Sequence, residues 1–326
     1  MIDMPLDQLF SDYADAVPGA SAVLIRGDVI DYAAAFGLAD LEQQTPAAVT
    51  TNYRLASVSK QFTAMAILLL AADRRLNLDD PLARFFAGAP PLWRQITLRH
   101  LLTHTSGLLD YEDLIPPGTS AQLRDQDVLE LVRPHAGGYH APGALFRYSN
   151  TGYCLLALIV ARVAGQPFAA FLRERIFAPL DMHDTLAYED GGPTIPRRAY
   201  GYSLRDGLWA RTDQSLTSAT LGDGGIYSSV EDLARWDAAL AEGRLPGPRL
   251  ANVFAPHAAT PDGAAYGLGW YLRGRQVAYH TGESIGFRTA IVRRLDRRIT
   301  AIVLANRSEA TPLALAEALI AHACGS

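Results

Sequence analysis

The chain has 326 residues, a formal net charge of −5, 49% hydrophobic residues and 19% charged ones. That is an ordinary globular composition, which argues against disorder. With no lysine-rich run it carries no nucleic-acid footprint and no polybasic membrane tether, so neither nucleic acid nor a membrane is expected as a partner. Of the 29 Lys and Arg residues, 28 are arginine; the one lysine is Lys60.

In chain order, Leu6 to Ala16 reads as a helix ended by Pro18-Gly19. This start lacks the basic opening and apolar stretch of a secretory signal, so the expectation is a cytoplasmic protein, or a periplasmic or secreted one if a leader has been removed. Ser21 to Ile25 and Val29 to Phe36 read as strands about an Arg26-Gly27-Asp28 turn. Val58 to Ala72 is apolar nearly all round and reads as a buried helix. Residues 73–218 read as mostly helical, with Thr151 to Ala164, stopped by Gly165, as the clearest helix. Ser228 and Glu231 fit a capping box that opens the next helix. Strands are expected from Tyr266 to Leu272, Gln276 to His280, Phe287 to Arg294 and Arg298 to Ala305, then a helix from Pro312 to Ala323. The plan is α+β: an antiparallel sheet built from both chain ends and flanked by helices, with a mostly helical insertion. The expected division is a sheet domain of 1–72 with 219–326 and a helical domain of 73–218, the active site lying between them. Cys154 and Cys324 are too few for a disulfide framework or a cysteine metal site, and no metal or cofactor is expected.

Three constellations carry chemistry. In Ser57-Val58-Ser59-Lys60, positions i and i+3 of a helix share a face, so the hydroxyl and the amine can meet. A serine needs a neighbouring base, and lysine serves only if its pKa falls toward neutrality. Burial and the helix N-terminus both push it that way. Arginine stays protonated and cannot serve. In Tyr148-Ser149-Asn150 the phenol is suited to general-base work or to carrying a proton to a leaving group. The Asn150 amide can hold both the Lys60 amine and a substrate carbonyl. In His280-Thr281-Gly282, His280 is a catalytic candidate that can bond to a substrate carbonyl or carboxylate, the glycine lets a substrate approach the backbone, and the amide of Glu283 can face an oxyanion.

Taken together, these motifs resemble the serine β-lactamase and penicillin-binding protein superfamily, with closest likeness to class C β-lactamases, D-aminopeptidases and the esterases of that fold. Leu101 to Leu108, Pro179 to Met182, Gly224 to Ser228 and Tyr266 to Trp270 are similar to further stretches of that family. The resemblance implies a β-lactamase/transpeptidase-like fold and a serine hydrolase that cleaves a small ester, amide, peptide or β-lactam through an acyl-enzyme. It implies Ser57 as nucleophile, Lys60 and Tyr148 as proton carriers, Asn150 as positioning group, and the backbone amides of Ser57 and Glu283 as the oxyanion hole. Which of Lys60 and Tyr148 is the base stays open, as do acyl transfer to another acceptor and an acylated sensor that does not turn over. His280 stands where the penicillin-binding pattern has lysine. A neutral imidazole is not a permanent carboxylate anchor, so short esters and amides are expected to outperform β-lactams. Arg288 is a candidate to replace the missing charge, and Thr281 and Gly282 are candidate substrate contacts.

Other signals compete less well. Gly282-Glu283-Ser284-Ile285-Gly286 matches the nucleophile elbow of α/β-hydrolases, with Asp296 and His322 as the available acid and base. That elbow needs a strand, a turn and then a helix, whereas Phe287 onward reads as a strand. His100 and His104 have zinc-like spacing but no third ligand in view, and they read as structural. The Arg293 to Arg298 cluster reads as a solvated hairpin edge, and Trp270 and Tyr271 as core.

Overall fold

The structure is a computed structural model that describes residues 5–189, 192, 194–245, 247 and 250–325. Its centre is one antiparallel sheet of eight strands: β1 (Ala20–Arg26), β2 (Val29–Phe36), β3 (Ala258–Ala259), β4 (Ala265–Tyr266), β5 (Tyr271–Arg273), β6 (Val277–Ser284), β7 (Phe287–Arg294) and β8 (Ile299–Ala305). The spatial order is β3-β4-β5-β6-β7-β8-β1-β2, so the two ends of the chain meet at β8 and β1. Ala20 stands opposite Ala305, and Arg26 opposite Ile299.

Every residue of β8 is buried, because both faces of the sheet are covered. Side chains alternate between two apolar layers: Leu24 and Val303 enter one, Val23 and Ile302 the other. Helix α4 (Pro312–Gly325) and the 3-10 turn Leu6–Tyr13 close the first face. The second is closed by α1 (Lys60–Ala72) and α3 (Val230–Glu242). Eleven of the thirteen side chains of α1 are buried, Lys60 and Gln61 included. Gln61 Oε1 accepts from Trp236 Nε1 at 3.0 Å, which ties α1 to α3. Helix α2 (Asn150–Ala164) packs beside α1 and ends at Gly165, whose φ of +73° is the left-handed stop that its sequence anticipates.

The structure departs from sequence expectation in several places. The opening helix is a 3-10 segment, Leu6–Tyr13. Tyr266 to Leu272 is not one strand: Gly267 N–H donates to Trp270 O at 2.8 Å, and the chain turns between β4 and β5. Gly269, at φ +82°, lies so close to α1 that a Cβ there would come within 3.0 Å of Lys60 O. Strand β6 does not stop at His280. Its hairpin with β7 continues until Ser284 faces Phe287, which puts the whole third motif inside a strand. The cap of α3 is Ser229, which accepts from Asp232 N–H at 3.1 Å, while Ser228 belongs to the short strand Ile226–Ser228. Residues 73–218 hold short helices, 3-10 turns and a hairpin of Tyr202–Arg205 with Leu208–Arg211, and so are less helical than expected. Among the described residues no single helix is long and apolar enough to cross a membrane.

Arg293 is not a solvated edge residue. It is 6% exposed, and its Nε donates to Asp237 Oδ1 at 2.6 Å, an oxygen that also accepts from Thr300 Oγ1 at 2.8 Å. The alternation of β7 turns Arg293 inward beneath α3, while Arg294 and Arg298 pair outside with Asp296 and Asp28. Asp237→Ala strands this buried guanidinium and is expected to lower stability by about 3–5 kcal/mol in urea unfolding, with most of the loss recovered by adding Arg293→Met.

Candidate active site

Ser57 sits in the 3-10 turn Ala56–Ser59 that runs straight into α1. Ala56, just before it, is held at φ +47°, a left-handed conformation that a non-glycine residue keeps only when its surroundings impose it. Two strands supply that constraint. Thr289 Oγ1 on β7 donates to Leu55 O at 2.7 Å. Gly282 on β6 passes so close that a Cβ there would lie 2.0 Å from the same Leu55 oxygen. Glycine at 282 is therefore required by backbone approach, and it brings the edge of β6 alongside Ser57. Beyond Tyr279, β6 pairs with β7 alone, so on its other side residues 280–284 form an unpaired edge.

Lys60 is fully buried one helical turn after Ser57. Its Nζ lies 3.0 Å from Ser57 Oγ, 2.8 Å from Asn150 Oδ1 and 2.8 Å from Asp223 O. The rings of Tyr148 and Tyr153 lie 5.0 and 5.5 Å from the same nitrogen. Burial pushes the ammonium from its ordinary 10.5 down to about 8; the negative charges of Asp223, Asp110 and Glu112 oppose that fall. Asn150 opens α2. Its second amide atom is also engaged, Nδ2 donating to Glu112 Oε1 at 2.8 Å. Burial raises the Tyr148 phenol well above its ordinary value, and contact with the Ser57 hydroxyl only partly opposes this.

Tyr148 is placed by an aromatic cluster. His104 stacks on it with ring centroids 4.3 Å apart, and Tyr271 lies parallel at 6.4 Å. His104 is buried, and its Nδ1 accepts from Ser149 N–H at 3.1 Å. Burial and the charge of Lys60 hold it far below its ordinary pKa, so it is neutral. His100 instead completes a capping box with Thr97, so the two histidines do not converge as metal ligands.

His280 does not open toward Ser57. It is 1% exposed, and its Nδ1 faces Thr281 O at 2.7 Å; a carbonyl only accepts, so Nδ1 carries the proton. Nε2 therefore accepts from Tyr266 O–H at 3.0 Å. Burial and Lys60 push its pKa down to about 3. Both ring nitrogens are occupied and the ring is neutral, which makes it a brace rather than a charged anchor. Arg288 is tied as well, with Nη2 2.7 Å from Glu283 Oε1 and Nη1 donating to Ser284 O and Phe287 O at 2.8 and 2.9 Å.

Ser57, Asn150, Glu283 and Arg288 all line one cavity of about 420 Å³. So do residues to which the sequence reading gave no role: Arg54, Glu112, Thr217, Thr220 and Asp223. Asp223 adjoins the Gly224 to Ser228 stretch and His104 lies inside Leu101 to Leu108, so the signal was present in both cases without a role attached. Asp125, its carboxyl raised to about 7 by burial, accepts from the amides of Leu221 and Gly222 and so fixes the segment that presents Asp223 O to Lys60. Cys154 is buried against it as a core thiol. Ser284 also borders the cavity, but it lies in a strand–turn–strand hairpin with no helix after the turn, which is not the elbow geometry.

The Beta-lactamase family model matches residues 6–324. Penicillin-binding protein 4* of Bacillus subtilis is 33% identical over 309 residues, which cover 87% of this chain. Protein flp of Staphylococcus aureus is 28% identical over 91% of it. The chain spans about two thirds of the length of these curated relatives, 67% of the first and 61% of the second. Among solved structures it is similar to D-amino acid amidase from Ochrobactrum anthropi SV3, complexed with L-phenylalanine amide, with a TM-score of 0.83, 28% identity and coverage of 98% of this chain and 97% of that one. The antiparallel sheet, the turn and helix that carry Ser57 and Lys60, and a match from end to end agree: this chain belongs to the Beta-lactamase family of serine hydrolases and penicillin-binding proteins.

Proposed function

We propose that this protein is a serine amidohydrolase that cleaves small amides or esters with an amine-bearing acyl group through an acyl-enzyme on Ser57. The arrangement around Lys60 Nζ carries this reading. Of its three neighbours, Asn150 Oδ1 accepts from it and Asp223 O can only accept, whereas the Ser57 hydroxyl can accept or donate. A neutral Lys60 keeps two N–H bonds to the first two and turns its lone pair to Ser57. The proton it lacks is the one that Ser57 supplies as its oxygen attacks the carbonyl carbon. The tetrahedral oxyanion is received by the backbone amides of Ser57 and Glu283. Tyr148, whose phenol stays protonated near neutral pH, donates to the leaving nitrogen or oxygen and is recharged from Lys60. Water then attacks the acyl carbon, its proton returns to this pair, and Ser57 is released with the acid product.

The acidic residues of the cavity favour an amine-bearing acyl group. Glu112 and Asp223 line it, and burial, with repulsion from Asp110 and Asp223, raises the Glu112 carboxyl. A substrate ammonium would relieve that repulsion. The likeness to an amidase solved with an amino-acid amide supports the same class.

Four outcomes test the proposal. Ser57→Ala is expected to abolish labelling by a fluorophosphonate and Ser284→Ala to leave it intact; the reverse pattern would restore the elbow reading. Lys60→Arg keeps the charge but removes the titratable base, so acylation should fall by orders of magnitude while the circular dichroism spectrum is retained. In the unaltered protein the neutral amine is the active form, so the acylation rate should rise with pH and level off above about 8, as stopped-flow burst measurements would show. Glu112→Gln should lower kcat/KM for amino-acid amides about tenfold more than for their N-acetyl twins, and equal losses would remove the ammonium contact.

A further inference from the structure

Two arginines are buried among the described residues, Arg293 at 6% exposure and Arg54 at 3%. Arg293 has Asp237 as its counter-ion. Arg54 has none. Its Nε and Nη1 are buried and meet no acceptor, and its one ring contact is the face of Tyr227 at 5.9 Å. It stands three residues before Ser57, in the short strand Tyr53–Arg54 that pairs with Ile226–Ser228, and it lines the same cavity as Ser57. The hydroxyl-bearing residues Thr217 and Thr220 line that cavity too. A buried guanidinium with unused donors is unfavourable in the empty protein, and it becomes favourable when a ligand brings the missing acceptors. The planar fork of arginine matches a carboxylate with two parallel bonds, here Nη2 with either one of the two unused donors, since Nε and Nη1 lie on different edges of the group. The other cation on this wall, Arg288, is already held by Glu283 and two carbonyls.

We infer that Arg54 is the carboxylate-binding residue of this cavity, and that the preferred substrates are short peptides with a free carboxylate rather than simple amides. This rests on the Ser57 reading and narrows its substrate class. The anchor comes from the segment leading into the nucleophile instead of from the third motif, where His280 is neutral and buried.

The test compares D-phenylalanyl-D-alanine with its carboxamide twin. The unaltered protein should favour the acid in kcat/KM by about tenfold or more, the usual scale for a charge-assisted pair. Arg54→Gln should bring that ratio close to one, and Arg54→Lys, which keeps the charge without the fork, should give an intermediate ratio. Calorimetry of both peptides on Ser57→Ala protein, where neither is expected to be cleaved, reads the same preference as a ratio of Kd values. No preference for the acid in the unaltered protein, or a ratio that Arg54→Gln leaves in place, would overturn the inference. An Arg54→Gln protein that does not fold leaves the unaltered protein's ratio and the Arg54→Lys ratio to decide. If Ser57→Ala protein still hydrolyses the peptides, the nucleophile assignment fails, while a Kd preference for the acid that Arg54→Gln removes would still locate the carboxylate at Arg54.

Discussion

Burial of one ammonium group organises this site. Lys60 is enclosed in an apolar helix, which alone would drive it toward the neutral form. Three oxygens converge on its nitrogen, and carboxylates at 110, 112 and 223 oppose the desolvation. The outcome is a pKa of about 8, close enough to neutrality for the group to exist in both forms. Each contributor belongs to a different part of the chain: Ser57 to the turn before α1, Asn150 to the start of α2, and Asp223 to a loop fixed by Asp125. Moving any of these elements would shift the proton affinity of Lys60 and the position of the Ser57 hydroxyl together.

A second constraint is steric. The chain around Ser57 is pinned between the left-handed Ala56 and two strands, with Thr289 bonded to Leu55 O and Gly282 in backbone contact with that same carbonyl. This places an unpaired strand edge beside a strained turn, an arrangement suited to receiving an extended substrate and directing two amides at one oxygen. The glycine of the third motif thus has a direct role in the fold.

The histidine of that motif illustrates how one position can keep a place and lose a charge. Its ring joins Tyr266, Tyr271, His104 and Tyr148 in a buried aromatic cluster, with both nitrogens bonded inside the protein. The cluster fixes the Tyr148 ring over Lys60. His280 therefore offers no positive charge to the cavity, where Arg54 carries unused donors.

Much of this was legible from the residues in order. Apolar periodicity placed β1, β2, β7 and β8 and the buried helix α1, because those patterns follow from which face or faces each element covers. The Ser57–Lys60 spacing is set by one helical turn, and it needed no partner to be read. The one lysine in an arginine-rich chain already marked the position of the buried amine whose pKa falls toward neutrality. Contacts between distant segments were not legible. Nothing near Arg54 in sequence shows that it lacks a counter-ion, nor does anything near Arg293 show that Asp237 supplies one, 56 residues away. The occupied nitrogens of His280 depend on Tyr266 across the sheet, and the turn at Gly267 to Trp270 depends on α1 pressing against Gly269. Local spacing fixes which groups a helix or strand can offer, whereas burial, pairing and pKa are set by what the rest of the chain packs around them.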